Sequence, residues 1–140
     1  MSDAKAQPRG PQDRPMSPHL QVWRWHVTML TSILHRGTGI ALYAGVLVLV
    51  GWVVALAAGP DAFDAYGALL GSLIGLPVLF GLTVAFLYHL ANGVRHLFWD
   101  SGKGFEPKTA DMTGWAAIAF GVVAAVLIWI IIFLNMGAAR

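Results

Sequence analysis

Three long stretches of this sequence, 37–60, 65–94 and 112–139, contain no Asp, Glu, Lys or Arg. Each exceeds the ~20 residues that an α-helix needs to cross the hydrocarbon core of a bilayer. In a chain of 140 residues, three such stretches leave no room for a separate soluble domain. The expected fold is all-α: an integral membrane bundle of three transmembrane helices, preceded by a short interfacial N-terminal segment. Charge agrees with this, at 11% of residues against about a quarter in a soluble domain.

Residues 1–18 hold Asp3, Lys5, Arg9, Asp13 and Arg14 among several prolines. They read as a flexible tail with little to bury. They lack an apolar signal-peptide core, so no cleavage is expected. Residues 19–140 are the transmembrane domain. Its first part, 19–28, groups Trp23, Arg24, Trp25 and His26, a composition that suits the headgroup layer. His19 and His26 read as wet interfacial histidines. The three spans are expected at about 30–58, 66–99 and 113–136. Gly59-Pro60-Asp61 ends the first, and Asp100-Ser101-Gly102-Lys103-Gly104 ends the second. The second is longer than a bilayer requires and should tilt or project.

Basic residues give an orientation. Lys5, Arg9, Arg14, Arg24, Arg36, Arg95, Lys103 and Lys108 fall on one side, and Arg140 alone falls on the other. The positive-inside rule then places the N-terminus and the second loop in the cytoplasm. In a bacterial inner (cytoplasmic) membrane the first loop and the C-terminus face the periplasm. The basic residues form no dense cluster, which gives no reason to expect nucleic-acid binding. The absence of cysteine rules out disulfides, iron–sulfur ligands and zinc thiolates from this chain.

Ionisable groups in hydrocarbon are costly, and each invites a functional question. His89 lies about ten residues before the end of the second span, roughly 15 Å along the axis. Gly81, Ala85, His89 and Gly93 are spaced by four and share a face. A flat macrocycle could lie in the groove of small residues, with the imidazole reaching its iron. Equally, the small residues could pack helices together, with the histidine bonded across the contact. Spacing alone does not decide between them. His96, on the same face and nearer the end, and its neighbour Arg95 would suit the propionates of such a macrocycle, or would be solvated interfacial cations. At the start of the first span stand Ser32, His35 and Arg36. They offer a hydroxyl, an imidazole and a guanidinium to a quinone or a propionate. The alternative is that Arg36 snorkels to the surface. No second histidine lies deep in spans one or three; His35 could serve as a second axial ligand only if the first span packed close at that depth, and the simpler inference puts that ligand on another polypeptide.

Other features read plainly. Gly67, Gly71 and Gly75 look like a packing stripe within the second span. Gly37-Thr38-Gly39 follows no strand and is not a dinucleotide fingerprint. Trp99 and Trp115 suit a membrane-surface belt, while Trp129 lies deeper and should pack.

Three segments, in order, resemble the cytochrome b subunit of succinate dehydrogenase. Arg14-Pro15-Met16-Ser17-Pro18-His19-Leu20 is similar to that family's Arg-Pro-x-Ser-Pro-His-Leu. Ser32-Ile33-Leu34-His35-Arg36-Gly37-Thr38-Gly39 is similar to its Ser-Ile-x-His-Arg-x-Ser/Thr-Gly. His89-x-x-x-Gly93-Val94-Arg95-His96-Leu97-x-x-Asp100 is similar to its His-x-x-x-Gly-Ile/Val-Arg-His-Leu/Met-x-x-Asp. The resemblance covers nearly the whole chain. It implies that His89 is the axial ligand of haem b iron, and that Ser32 and Arg36 contact ubiquinone. It implies that His35 supports a propionate, with Arg36 nearby and His96 a weaker candidate. It implies three partners: a second small membrane anchor subunit that supplies the other haem ligand, an iron–sulfur subunit and a flavoprotein subunit. The chain itself would carry no succinate site. An anchor of a quinol–fumarate reductase, or a scaffold without a working quinone site, would fit the same residues.

Overall fold

The computed structural model describes residues 24–138, with side chains to 136. The tail 1–18, His19 and the first of the three motifs lie outside the described residues. Four helices follow one another: α1 (Val27–Ala58), α2 (Pro60–Leu70), α3 (Gly75–Asp100) and α4 (Pro107–Ala138). Of these, α1, α3 and α4 are long and apolar enough to cross a membrane. The described residues contain no strand.

Local chemistry sets the ends. His26 caps α1, its Nδ1 accepting from Thr28 N at 3.4 Å. Gly59 ends α1 at φ 111°, a backbone state that side chains disfavour. Pro60 then opens α2, where its missing N–H costs nothing. Gly102 and Gly104 take φ of 79° and 83° in the loop after α3.

The second span departs from the expected continuous helix over 66–99. It is divided into α2 and α3 by a turn at residues 71–74. Gly71 N–H closes α2 onto Gly67 O, and Ser72 Oγ accepts from Gly75 N–H at 3.0 Å. Gly75 lies so close to the Leu69 and Leu70 carbonyl oxygens that a Cβ there would clash with both. Gly67, Gly71 and Gly75 therefore form no stripe on one helix. Two of them make the turn. A charge-free run hides such a break. The legible signal was Pro77, which sits in the first turn of α3 where its lost donor is harmless.

The packing stripe lies on α4 instead. Ala110, Gly114, Ala117, Gly121 and Ala125 recur at three- and four-residue spacing and are all buried. Small residues let backbones approach, and in lipid this close packing drives association because no hydrophobic gain is available. At Gly121 an added Cβ would stand 2.7 Å from Tyr88 Cβ and 2.9 Å from its Cα. Hence α3 lies directly on α4, and α1 packs against both. Large apolar side chains such as Leu47, Val54, Ile131 and Leu134 point outward, as the surface of a membrane bundle requires.

Polar bonds complete the bundle. Tyr66 Oη donates to Val48 O at 2.8 Å and ties α2 to α1. Trp129 packs as expected, edge-on to Phe80, and donates to Thr83 Oγ1 at 3.2 Å. At the opposite end Tyr88 Oη donates to Thr31 O at 2.7 Å.

Candidate functional site

The start of α1, the end of α3 and the start of α4 meet at one end of the bundle, and every described candidate residue lies there. His35 of α1 and His89 of α3 stack face to face, with ring centroids 3.8 Å apart and planes 10° from parallel. His96 tilts against His35 at 5.1 Å. Asn92 Nδ2 lies 3.3 Å from His96 Nε2. His89 Nδ1 lies 3.1 Å from Thr38 Oγ1. Among the described residues, His89 Nε2 makes no hydrogen bond. His35 Nδ1 is buried and has no partner there either.

Small residues make the room. At Gly39 an added Cβ would meet His89 Cε1 at 3.3 Å, so glycine lets the imidazole lie against α1. Of the stripe expected on α3, Ala85 is buried while Gly81 and Gly93 face open space. The face around His89 is thus partly packed and partly open.

Ser32 and Arg36 are brought together, but as an exposed pair rather than in an enclosed pocket. Arg36 Nη2 donates to Ser32 Oγ at 3.2 Å, and Arg36 Nε donates to Ser32 O at 3.4 Å. The Ser32 hydroxyl proton makes no bond within the described residues, so it is free for an incoming acceptor. A groove between α3 and α4, lined by Leu90, Val94, Phe98, Ala117 and Phe120, contains neither residue. The described residues do not enclose Ser32 and Arg36.

Arg95, which spacing left open between a propionate partner and a solvated interfacial cation, is not solvated. It is 6% exposed and turned inward. Its Nε donates to Thr113 Oγ1 at 3.0 Å, Nη2 to Ala110 O at 2.7 Å, and Nη1 to Thr31 Oγ1 and Asn92 Oδ1, each at 3.3 Å. Its Cζ lies 4.0 Å from the centre of the Trp99 ring. One guanidinium therefore clamps three helices. His26, expected to be merely wet, also bridges, with Nε2 3.5 Å from Asp111 Oδ2.

Among the described residues, the arrangement suits one axial position of a haem. An imidazole ligates iron along the lone pair in its own plane. Two stacked rings cannot both aim at one iron between them, so His35 does not complete a bis-histidine pair with His89 in this arrangement. No cluster of three metal-holding side chains exists among the described residues. His89, with Nδ1 engaged and Nε2 unengaged, has the form of a ligand held by an outer partner.

Sequence reasoning missed Thr38, Gly39 and Asn92. The first two had a signal: Thr38 stands three after His35, and Gly39 four after it, so both flank that face of α1. Asn92 stands three before Arg95 on α3 and had the same kind of signal.

Comparison with known proteins gives a consistent result. Residues 11–128 match a family described as the succinate dehydrogenase/fumarate reductase transmembrane subunit. The chain is similar to the succinate dehydrogenase cytochrome b556 subunit of Paracoccus denitrificans, 44% identical over 121 residues, 86% of this chain and 93% of that one. The corresponding subunit of Rickettsia felis is 36% identical over 118 residues, 84% and 91% of the two chains. The mitochondrial cytochrome b560 subunit of Sus scrofa is 40% identical over 119 residues, 81% and 69% of the two.

Proposed function

Since this chain belongs to the succinate dehydrogenase/fumarate reductase transmembrane subunit family, we propose that it anchors a succinate-oxidising assembly to the membrane and helps to build its haem and ubiquinone sites. The observation that carries this reading is the convergence at one bundle end of the His35–His89 stack and the Ser32–Arg36 pair.

His89 would hold haem b through Nε2, and a second small anchor subunit would supply the opposite ligand. The group supplies a one-electron centre at that end of the bundle. His35, whose buried Nδ1 has no partner among the described residues, and the adjacent Arg36 are the candidates for its propionates, with His96 behind them. An iron–sulfur subunit and a flavoprotein subunit would oxidise succinate and deliver two electrons. The positive-inside bias puts this end, with the N-terminus, on the cytoplasmic side where those soluble partners would dock.

At the quinone, Arg36 would stabilise charge that develops on a carbonyl oxygen as electrons arrive. Ser32 accepts from Arg36, so its own proton is available to the ring oxygen. Ubiquinone takes two electrons and two protons to become the quinol, and this hydroxyl is a relay for one of the protons. The succinate chemistry stays in the partners.

The test is made on the purified complex. Ser32→Ala removes one hydrogen bond worth about 0.5–1.5 kcal/mol, which corresponds to a loss of up to about tenfold in quinone reduction. Dye-linked succinate oxidation should persist. Equal loss of both activities would contradict the assignment.

A further inference from the structure

Thr38 has one hydroxyl proton and three polar neighbours. Its Oγ1 lies 2.8 Å from Leu34 O, 3.0 Å from His35 O and 3.1 Å from His89 Nδ1. The two carbonyls can only accept. If the proton pointed to His89 instead, Oγ1 and Leu34 O would face each other at 2.8 Å with lone pairs opposed and nothing between them. The favourable arrangement sends the proton to a carbonyl, the back-bond that helical threonines commonly make. Toward His89, Oγ1 can then only accept. On this hydrogen-bond assignment Nδ1 carries the ring hydrogen, and Nε2 keeps its lone pair.

Other contacts restrain the same ring. His35 covers one face at 3.8 Å. The missing side chain at Gly39 lets Cε1 approach α1, where an added Cβ would stand 3.3 Å away. The ring is thus held in plane by a stack and in tautomer by a hydroxyl.

We propose that Thr38 is a positioning residue that fixes His89 in the Nδ1–H tautomer and so presents Nε2 to the haem iron. This rests on the haem reading of His89 above. A hydrogen bond from the outer nitrogen raises the ligand's basicity, which favours the ferric state and lowers the haem's midpoint potential.

The experiment uses the complex purified with its partners, and reads haem retention and midpoint potential by redox titration of the optical bands. Thr38→Val keeps the shape and removes the acceptor. Haem retention should fall by about tenfold or more. A tenfold loss of preference for the ferric state raises a one-electron potential by about 59 mV. Thr38→Ser keeps the acceptor and should return both readings to the wild-type values. Thr38→Ala gives the same measurement as valine if the valine variant does not assemble. Wild-type potential and retention in valine or alanine overturn the proposal. So does a serine variant displaced as far as alanine, because that would make the methyl group, not the hydroxyl, the active part. Failure of the underlying reading looks different: b-type bands that survive unchanged in His89→Leu would remove the ligand itself, and this inference with it.

Discussion

Arg95 is the best place to test whether the bundle is held by a hydrogen-bond fork or simply by packing. The guanidinium is almost fully buried, has no carboxylate partner within salt-bridge reach among the described residues, and spans to Thr31 of α1 and to Ala110 and Thr113 of α4. Interhelical hydrogen bonds in membranes are worth about 0.6 kcal/mol on average and up to about 1.7. Three of them contribute about 2–5 kcal/mol. Against this stands the cost of burying an uncompensated charge, which is several kcal/mol even after relaxation. The two terms predict an unusual order. Arg95→Met loses the three bonds but also the buried charge, so it should lie within about 2 kcal/mol of wild type. Arg95→Lys keeps the charge on a point-like ammonium that cannot reproduce the planar fork. With two of the three bonds lost and no relief of desolvation, it should be the weaker variant, by about 1–3 kcal/mol relative to wild type from the bonds alone. Reversible unfolding of the purified chain in mixed micelles, followed by helicity, measures this order. A lysine variant as stable as arginine would refute the fork. A lysine variant more stable than methionine would refute the claim that desolvation offsets the lost bonds.

Gly121→Ala places a methyl 2.7 Å from Tyr88 Cβ and should destabilise the bundle by about 1–3 kcal/mol in the same unfolding experiment, since α3 and α4 must part. Gly67→Ala is its control: nothing lies within 4 Å of the added carbon, and the helix should gain up to about 1 kcal/mol. Gly75→Val drives a side chain into the Leu69 and Leu70 carbonyl oxygens. It should lower the unfolding midpoint by more than Gly121→Ala, because the added carbon lies closer to those oxygens than to any atom of Tyr88 and valine is the larger side chain; an unchanged midpoint would show that the turn is not tightly closed.

The fold was legible because hydrocarbon imposes one rule on every segment: charge is excluded for the length of a span. That rule found α1, α3 and α4 and the punctuation at Gly59 and at residues 100–104. It could not see the turn at residues 71–74, since a turn there closes on Gly71, Ser72 and Gly75, none of which is charged. The site was legible in part. Motif spacing singled out Ser32, His35, Arg36, His89 and His96, and the structure gathers them at one end of the bundle. The inward turn of Arg95 was not legible because sequence shows that a cation stands near the membrane surface, not which way it turns. Its direction depends on Thr31 and on Thr113, which are distant in sequence and contribute hydroxyls that no pattern marks. The stripe on α4 was missed for a related reason, because in a chain with 16 glycines small residues recur by chance on several faces, and only a partner helix selects one.

The distribution of polar bonds separates the two ends of the bundle. At the end that holds the histidines, Tyr88, Arg95, Thr31, Thr113 and Ala110 join all three long helices. At the other end, among the described residues, the helices are tied by two isolated bonds, Tyr66 to Val48 and Trp129 to Thr83, and by ring contacts such as Trp52–Phe63 and Phe80–Trp129. Asn92 connects the clamp to the site. Its Oδ1 accepts from Arg95, which leaves Nδ2 to donate to His96 Nε2. A side-chain amide has one oxygen and one nitrogen, so fixing the first end fixes the second. His96 is therefore an acceptor at Nε2, and its orientation depends on a guanidinium that never touches it. Removing the Arg95 guanidinium frees Asn92 Oδ1, so such a change reaches His96, and through its ring contact His35. A change at the Tyr66 or Trp129 bonds has no such route and should alter stability without altering the site.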